Sequence, residues 1–311
     1  MAIEFRGVRF PPLRDVTAVA PDGAVIGIIG EKGAGKGALL RVAAGLEKPI
    51  LGEVRGADSR RYLGPADSLN WSPVQLLLIE HTFAQQDALA RAQALASLDR
   101  LRCGRSTVLI VSHELNLLRS LADEVWWFDS GTLVERGHPS EVLGAYQQHI
   151  AEKFRVWGET APNGLRLSHR RGDGRAELVS LETFGASGQP TMVWQSGEPV
   201  TVRVTARYRD LVDDPVIGIM IRTRIGLEVY GTNTELEKLK LGPCAPGCEM
   251  QIDFRFSCGL CPGEYTLTAA SHDRDGAAHD WIDDALAFIV TDSRYTAGVA
   301  NLRASVQVEK L

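Results

Sequence analysis

Gly30-Glu31-Lys32-Gly33-Ala34-Gly35-Lys36 fits the pattern Gly-x-x-x-x-Gly-Lys, and its flanks decide what it can do. The continuous apolar run Ala24–Ile29 precedes it, and a stretch of helical spacing, Ala38–Gly45, follows. In a strand–loop–helix unit, successive backbone N–H groups and the helix N-terminus form a nest for phosphate, and a closing lysine adds positive charge. The next position should carry a hydroxyl that holds Mg2+; here it is Gly37. The expectation is a phosphate loop deprived of one direct metal ligand. The alternative is a loop that binds nothing, in a fold that serves as a dimerisation platform.

The elements around this loop alternate. Leu76–Ile79 and Thr107–Val111 read as buried parallel strands, being apolar throughout. Helical patterns occupy Gln85–Arg102 and about Glu114 to Leu121, Val125–Phe128 and Thr132–Glu135 read as a hairpin, and Ser140 is placed to cap a last helix to about Phe154. This order predicts a three-layer α/β domain over residues 1–155.

On these residues the first half resembles the ATPase subunits of ABC transporters, with a P-loop core of the RecA-like kind. The resemblance implies ATP as ligand, with Phe10 stacking on adenine and Gly30, Gly33, Gly35, Lys36 and Gly37 around the phosphates. It aligns Glu80-His81 with the acidic Asp-Glu pair, Asp87 with an aspartate of the dimer-interface loop, and Ser112-His113 with the switch histidine that touches the γ-phosphate. Gly137–Leu143 resembles the family's closing segment. Glu80, His81 and His113 are therefore the candidate catalytic residues. The departures are specific. Glu80 replaces the Asp that orients Mg2+, and His81 replaces the Glu that polarises water. Only 43 residues separate Lys36 from Glu80, where the family holds a glutamine loop and a helical subdomain with the LSGGQ signature. No such signature occurs. Hydrolysis needs metal, water positioning and charge stabilisation together, so the expectation is an ABC-type domain with its helical subdomain missing, without efficient turnover and with weak support for Mg2+.

Residues 156–172 are polar and aperiodic and read as a linker, and from residue 173 to 311 the period becomes two. Val200, Val202, Val204 and Ala206 alternate with polar residues, as do Met250, Ile252, Phe254 and Phe256, while Ile217, Ile219 and Ile221 alternate with Gly218, Met220 and Arg222. Such strands between Gly/Pro/Asp turns predict an antiparallel, immunoglobulin-like all-β sandwich, with Tyr265 bonding back to a corner. Trp194–Pro199, Pro215–Ile219, Arg222–Arg224, Val229–Thr234, Pro262–Tyr265 and Trp281–Asp284 together resemble the C-terminal carbohydrate-binding domain of ATPase subunits that export O-antigen and related polysaccharides. The resemblance implies a polysaccharide ligand. Sugar binding needs aromatic faces and planar polar groups, which Arg222, Arg224, Tyr230 and Asn233 could supply, whereas Trp194 and Trp281 read as core or corner residues.

Cys244-x3-Cys248 and Cys258-x2-Cys261 invite a zinc reading, but the strand between them separates the pairs by about 33 Å, and one zinc holds its sulfurs at about 2.3 Å. No metal site is expected; the four read as loop thiols at opposite ends of a hairpin, and Cys103 as incidental. Asp273, Asp275, Asp280, Asp283 and Asp284, with His272 and His279, read as a solvated turn, and no catalytic triad is legible. The net charge of −5 excludes a non-specific nucleic-acid binder, and the chain lacks both a signal-peptide core and a spanning apolar run. The expectation is a cytoplasmic protein at the inner face of the membrane, homodimeric, working with a complete ABC ATPase and its transmembrane subunits in polysaccharide export. Two alternatives stay open: an active ATP-hydrolysing subunit, and a regulatory glycan-binding protein acting on a glycosyltransferase or chain-terminating enzyme.

Overall fold

In a computed structural model the protein is described over residues 2–68, 74–160, 170–294 and 296–309, the side chains of residues 84, 85, 88, 102, 103 and 158–160 excepted. The chain divides into two compact units, Met1–Tyr146 and Gln147–Leu311. The first unit opens with β1 (Ile3–Phe10), β2 (Leu13–Ala20), β3 (Val25–Ile29), α1 (Lys36–Ala44), β4 (Leu51–Arg55), β5 (Arg60–Leu63) and β6 (Leu76–Glu80). A 3-10 turn at Thr82–Gln85 leads to α2 (Ala88–Cys103), then β7 (Thr107–Val111), α3 (Leu115–Leu121), β8 (Glu124–Asp129), β9 (Thr132–Gly137) and α4 (Pro139–Thr160).

Six strands form one sheet in the order β5-β6-β7-β3-β8-β9, parallel except for the β8–β9 hairpin. Every residue of β3 and β7 is buried, as a sheet covered on both faces requires. A separate antiparallel sheet, β2-β1-β4, was not foreseen. Helix α1 buries Leu39, Leu40, Val42 and Ala43, and ends at left-handed Gly45 (φ 76°), whose N–H and that of Leu46 satisfy the carbonyls of Val42 and Arg41. Ser140 does not cap α4. The helix begins at Pro139, and Ser140 donates its own N–H to His138 Nδ1 at 3.3 Å.

Helix α4 runs on to Thr160, through residues expected to start the linker. Its end belongs to the second unit, where Ala151 packs with Val193 and Ile289. Residues 161–169 of the expected linker lie outside the described residues.

The second unit contains β10 (Arg170–Arg171), β11 (Ala176–Phe184), β12 (Val193–Gln195), β13 (Pro199–Tyr208), β14 (Val216–Thr223), β15 (Glu228–Asn233), β16 (Glu249–Ser257), β17 (Gly263–His272) and β18 (Ala278–Thr291). One sheet runs β10-β18-β17-β14-β15, with β12 parallel to β18; the other runs β11-β13-β16. A shared core draws Val200, Val202, Val204, Ile252 and Phe254 from the smaller sheet and Ile217, Ile219, Ile221, Leu267 and Phe288 from the larger. Trp194 is fully buried against Phe288 (4.1 Å between centroids). Tyr265 donates its hydroxyl to the Cys261 carbonyl at 2.8 Å, the corner bond anticipated from the sequence.

Three cysteines depart from expectation. Cys244, Cys258 and Cys261 are buried in this unit, where a thiol packs as a small hydrophobe. Burial pushes the Cys244 and Cys258 thiols up to about 11, which keeps them protonated and unreactive. The acidic stretch is a solvated turn only in part: residues 274–277, Asp275 among them, are exposed, but Asp280 is not. Asp280 is 3% exposed and its carboxylate takes the guanidinium of Arg170 and the N–H of Leu178. No described helix is long and apolar enough to cross a membrane.

Candidate functional site

The phosphate loop leaves the buried end of β3 and enters α1. At Gly30 (φ 146°) a β-carbon would stand 2.2 Å from the Phe128 carbonyl oxygen, and at Gly35 (φ 96°) 2.7 Å from Leu13 Cδ2. Both positions need glycine for dihedral freedom, and Gly30, which faces backbone, needs it for space as well. Gly33 (φ 87°) faces open space. Lys36 is 6% exposed, and its Nζ donates to the Gly30 and Glu31 carbonyls at 2.7 and 2.8 Å. Burial lowers its pKa, against the opposing charges of Glu80 and Glu31. The amine thus closes the loop on itself and must exchange two carbonyls for phosphate oxygens to take a ligand. Phe10 is half-buried at the end of β1 and packs in part against the core of this unit.

Glu80, at the end of β6, reaches toward Gly37. A β-carbon on Gly37 would stand 2.3 Å from Glu80 Oε1 and 3.1 Å from an Arg41 guanidinium nitrogen. The longer carboxylate therefore occupies the place where a serine or threonine side chain would begin. It is held there by the Tyr62 hydroxyl, which donates to Oε2, and by Arg41 at 4.0 Å. Tyr62 and Arg41 carried no signal in the sequence reading. Arg41 lies one helical turn beyond Gly37 on the same face. Tyr62 pairs with Leu78 in the sheet, so that Glu80 falls on its face two residues further on.

Burial first, and then the bond to Glu80, push the Tyr62 phenol up to about 12. A raised pKa means that the fold favours the protonated phenol, so this contribution to stability is complete below pH 10 and is lost as pH rises through about 12. Glu80→Ala is expected to bring one phenol down from about 12 toward 10 in an ultraviolet phenolate titration. A titration curve identical to that of the unaltered protein would contradict the Tyr62–Glu80 bond.

His81 has a left-handed backbone (φ 55°), its N–H bonds to the Val111 carbonyl at 3.0 Å, and its ring stacks on His113 with centroids 4.7 Å apart and planes 16° apart. The two candidate histidines thus face each other. Asp87 accepts the Ala90 N–H at 2.8 Å and so caps α2. Arg91 of α2 grips Glu114, next to His113, at 3.1 and 2.6 Å.

The second unit carries a cavity of about 360 Å3 on its larger sheet, lined among others by Met220, Tyr230, Asn233, Thr268, His272 and Trp281. Of the four candidate glycan residues, Tyr230 (41% exposed) and Asn233 line it and the two arginines do not. Arg222 is engaged by Asp283 and Glu228, each at 3.0 Å, and Arg224 lies 3.6 Å from Glu264. Trp281 is not a core residue. Its Nε1 donates to Asp283 at 3.0 Å, and the Arg171 guanidinium sits over its ring at 4.6 Å, so its orientation is fixed from two sides. The β17–β18 register brings His272 within 6.3 Å of the Trp281 ring. His272 and Trp281 are functional candidates that the sequence reading missed or placed elsewhere, because a half-exposed ring on an outer sheet face has the same period-two pattern as a core residue.

The same strands assemble a Ser–His–Asp arrangement, Ser271 Oγ to His279 Nδ1 and His279 Nε2 to Asp273 Oδ1, each 3.0 Å. Ser271 and His279 are fully buried, so no substrate reaches the hydroxyl and the group is structural.

Residues 168–302 match the family described as Wzt C-terminal domain. The chain is 20% identical over 338 residues to the O-antigen export system ATP-binding protein RfbB of Myxococcus xanthus, covering 85% of this chain and 77% of that protein. It is 24% identical over 265 residues to the methionine import ATP-binding protein MetN of Bradyrhizobium diazoefficiens, covering 58% of this chain and 76% of that one. Among solved structures, the crystal structure of the C-terminal domain of Wzt aligns at 23% identity with a TM-score of 0.45, over 51% of this chain and 99% of that one. The similarity therefore reaches both halves: an export ATP-binding protein over 85% of the chain, an import one over 58%, and the Wzt C-terminal domain family over residues 168–302.

Proposed function

We propose that this chain is an ABC-type nucleotide-binding-like protein of surface polysaccharide export, which recognises the polymer through an immunoglobulin-like second unit and does not hydrolyse ATP efficiently. The observation that carries the non-hydrolysing reading is the Glu80 carboxylate lying 2.3 Å from where the side chain of a hydroxyl-bearing residue 37 would start. Nucleotide phosphates fit this loop: Gly33 opens to free space, and Lys36 with the loop's N–H groups would hold them. Mg2+ does not fit, since position 37 offers no hydroxyl and Glu80 is engaged by Tyr62 and Arg41. His81 in place of a carboxylate, stacked on the switch position, leaves no group of the usual charge to orient water.

A missing helical subdomain belongs to the same reading. Among the described residues only β4 and β5 lie between α1 and β6. Without a signature motif, a homodimer of this chain cannot clamp ATP from the opposite subunit. A complete ABC ATPase and its transmembrane subunits, at the inner face of the cytoplasmic membrane, are the partners this reading requires. The test is ATP turnover with Mg2+ by the purified protein and by Lys36→Ala. The two are expected to be indistinguishable; rapid turnover abolished by the substitution overturns the reading in favour of an active subunit.

A further inference from the structure

We propose that Gly37 and Glu80 are a compensating pair that excludes the divalent cation, so that the loop takes a nucleoside triphosphate as the metal-free anion. This rests on the nucleotide reading of the loop and goes beyond it, because a site that merely lacks one metal ligand would still bind the metal complex, only more weakly.

The geometry distinguishes a weakened metal site from a filled one. Had position 37 simply lost its hydroxyl, the carboxylate at position 80 would still be directed at a gap beside the phosphates. Instead, Glu80 Oε1 has advanced into the volume a residue-37 side chain would use, and its Cδ stands 3.0 Å from the missing β-carbon. The other oxygen takes the Tyr62 hydroxyl, with Arg41 alongside at 4.0 Å. The carboxylate's negative charge is thus met by a protein cation and an O–H donor, the partners that a bound metal ion would otherwise replace. Arg41 is in turn kept in place by Glu47 at 2.9 Å. Around the phosphates, Lys36 remains as the fixed positive charge.

The two positions are coupled. A serine side chain at 37 requires the Glu80 carboxylate to leave its present place and its bond to Tyr62. Aspartate at 80, one methylene shorter, withdraws from Gly37 but leaves no hydroxyl opposite it. Neither single change rebuilds a cation site; the pair together does. A ligand excluded as its metal complex is titrated away by the metal, so added Mg2+ weakens apparent affinity by mass action.

The experiment is calorimetric titration of the full chain with ATP, in EDTA and in excess MgCl2, alongside Glu80→Asp and the double variant Gly37→Ser/Glu80→Asp, each checked for its melting temperature. For the unaltered protein Mg2+ is expected to weaken ATP binding about tenfold or more, and Glu80→Asp is expected to behave alike. In the double variant the sign reverses, and Mg2+ tightens binding. Tighter binding with Mg2+ in the unaltered protein overturns the exclusion while leaving the loop a nucleotide site. Absence of ATP binding in both conditions overturns the nucleotide reading itself, and the role of the pair with it.

Discussion

Asp280→Ala is expected to cost the second unit about 3–5 kcal/mol, the penalty of stripping one partner from a buried ion pair. The carboxylate is 3% exposed and meets two needs at once. Its oxygens take the Arg170 guanidinium, one of them at 2.8 Å from Nε, and the Leu178 N–H at 2.6 Å. Truncation leaves the Leu178 N–H without its acceptor, and leaves a cation only 28% exposed with the Leu178 carbonyl at 3.5 Å and Glu177 at 4.0 Å as its remaining partners. Asp280→Asn retains an acceptor for Leu178 and is expected to fall between. The measurement is the denaturant midpoint of the transition belonging to this unit. A midpoint unmoved by Asp280→Ala would mean that β10 is not pinned to β18 by this pair, and that Arg170 finds an equal partner in Glu177, 4.0 Å away.

Most of the scaffold was legible for a simple reason: continuous apolar runs and strict alternation are set by burial, and burial is local in sequence. Thr107–Val111 became a strand with every residue buried, and Val200, Val202 and Val204 all face the core. The β1–β2 ribbon escaped notice because its period breaks. Gly7 has φ 58°, and the pairing shifts register between Phe5 and Val8 and again before Phe10, so no window shows clean alternation. β5 is four residues with polar Arg60 and Arg61 at its start, below what a pattern can detect. In the phosphate site, the identities of Gly37, Glu80 and His81 already pointed to altered chemistry. Their mutual arrangement did not, because it depends on Tyr62 arriving from a neighbouring parallel strand and on the reach of one extra methylene. Asp280 was misread for the complementary reason. Charge in a sequence suggests solvent, and only the fold supplies the arginine that lets Asp280 go inside.

On the proposed glycan-binding reading, Trp281→Ala is expected to weaken binding of the surface polysaccharide by about 10- to 100-fold, with Tyr230→Ala next and Arg222→Ala least. The order follows from what each side chain has left to offer. Trp281 lines the cavity with its ring already fixed by Asp283 and Arg171, so little rotamer entropy is lost when a sugar packs on it. Tyr230 is 41% exposed at the same cavity, with the Phe256 ring 5.6 Å from its own. Arg222 gives three of its five N–H groups to Asp283, Glu228 and Thr268, so its removal acts first through the strands it ties together and should appear in the melting temperature before it appears in affinity. Leu211→Ala, an exposed residue outside this cavity, is the control expected to bind normally. Calorimetry against the purified polymer, with melting temperatures for each variant, separates these effects. If Trp281→Ala and Tyr230→Ala both bound as tightly as the unaltered protein, the glycan would have to lie elsewhere on the second unit. Loss of binding in Arg222→Ala alone, at unchanged stability, would place it on the exposed side of the β14–β15 hairpin instead.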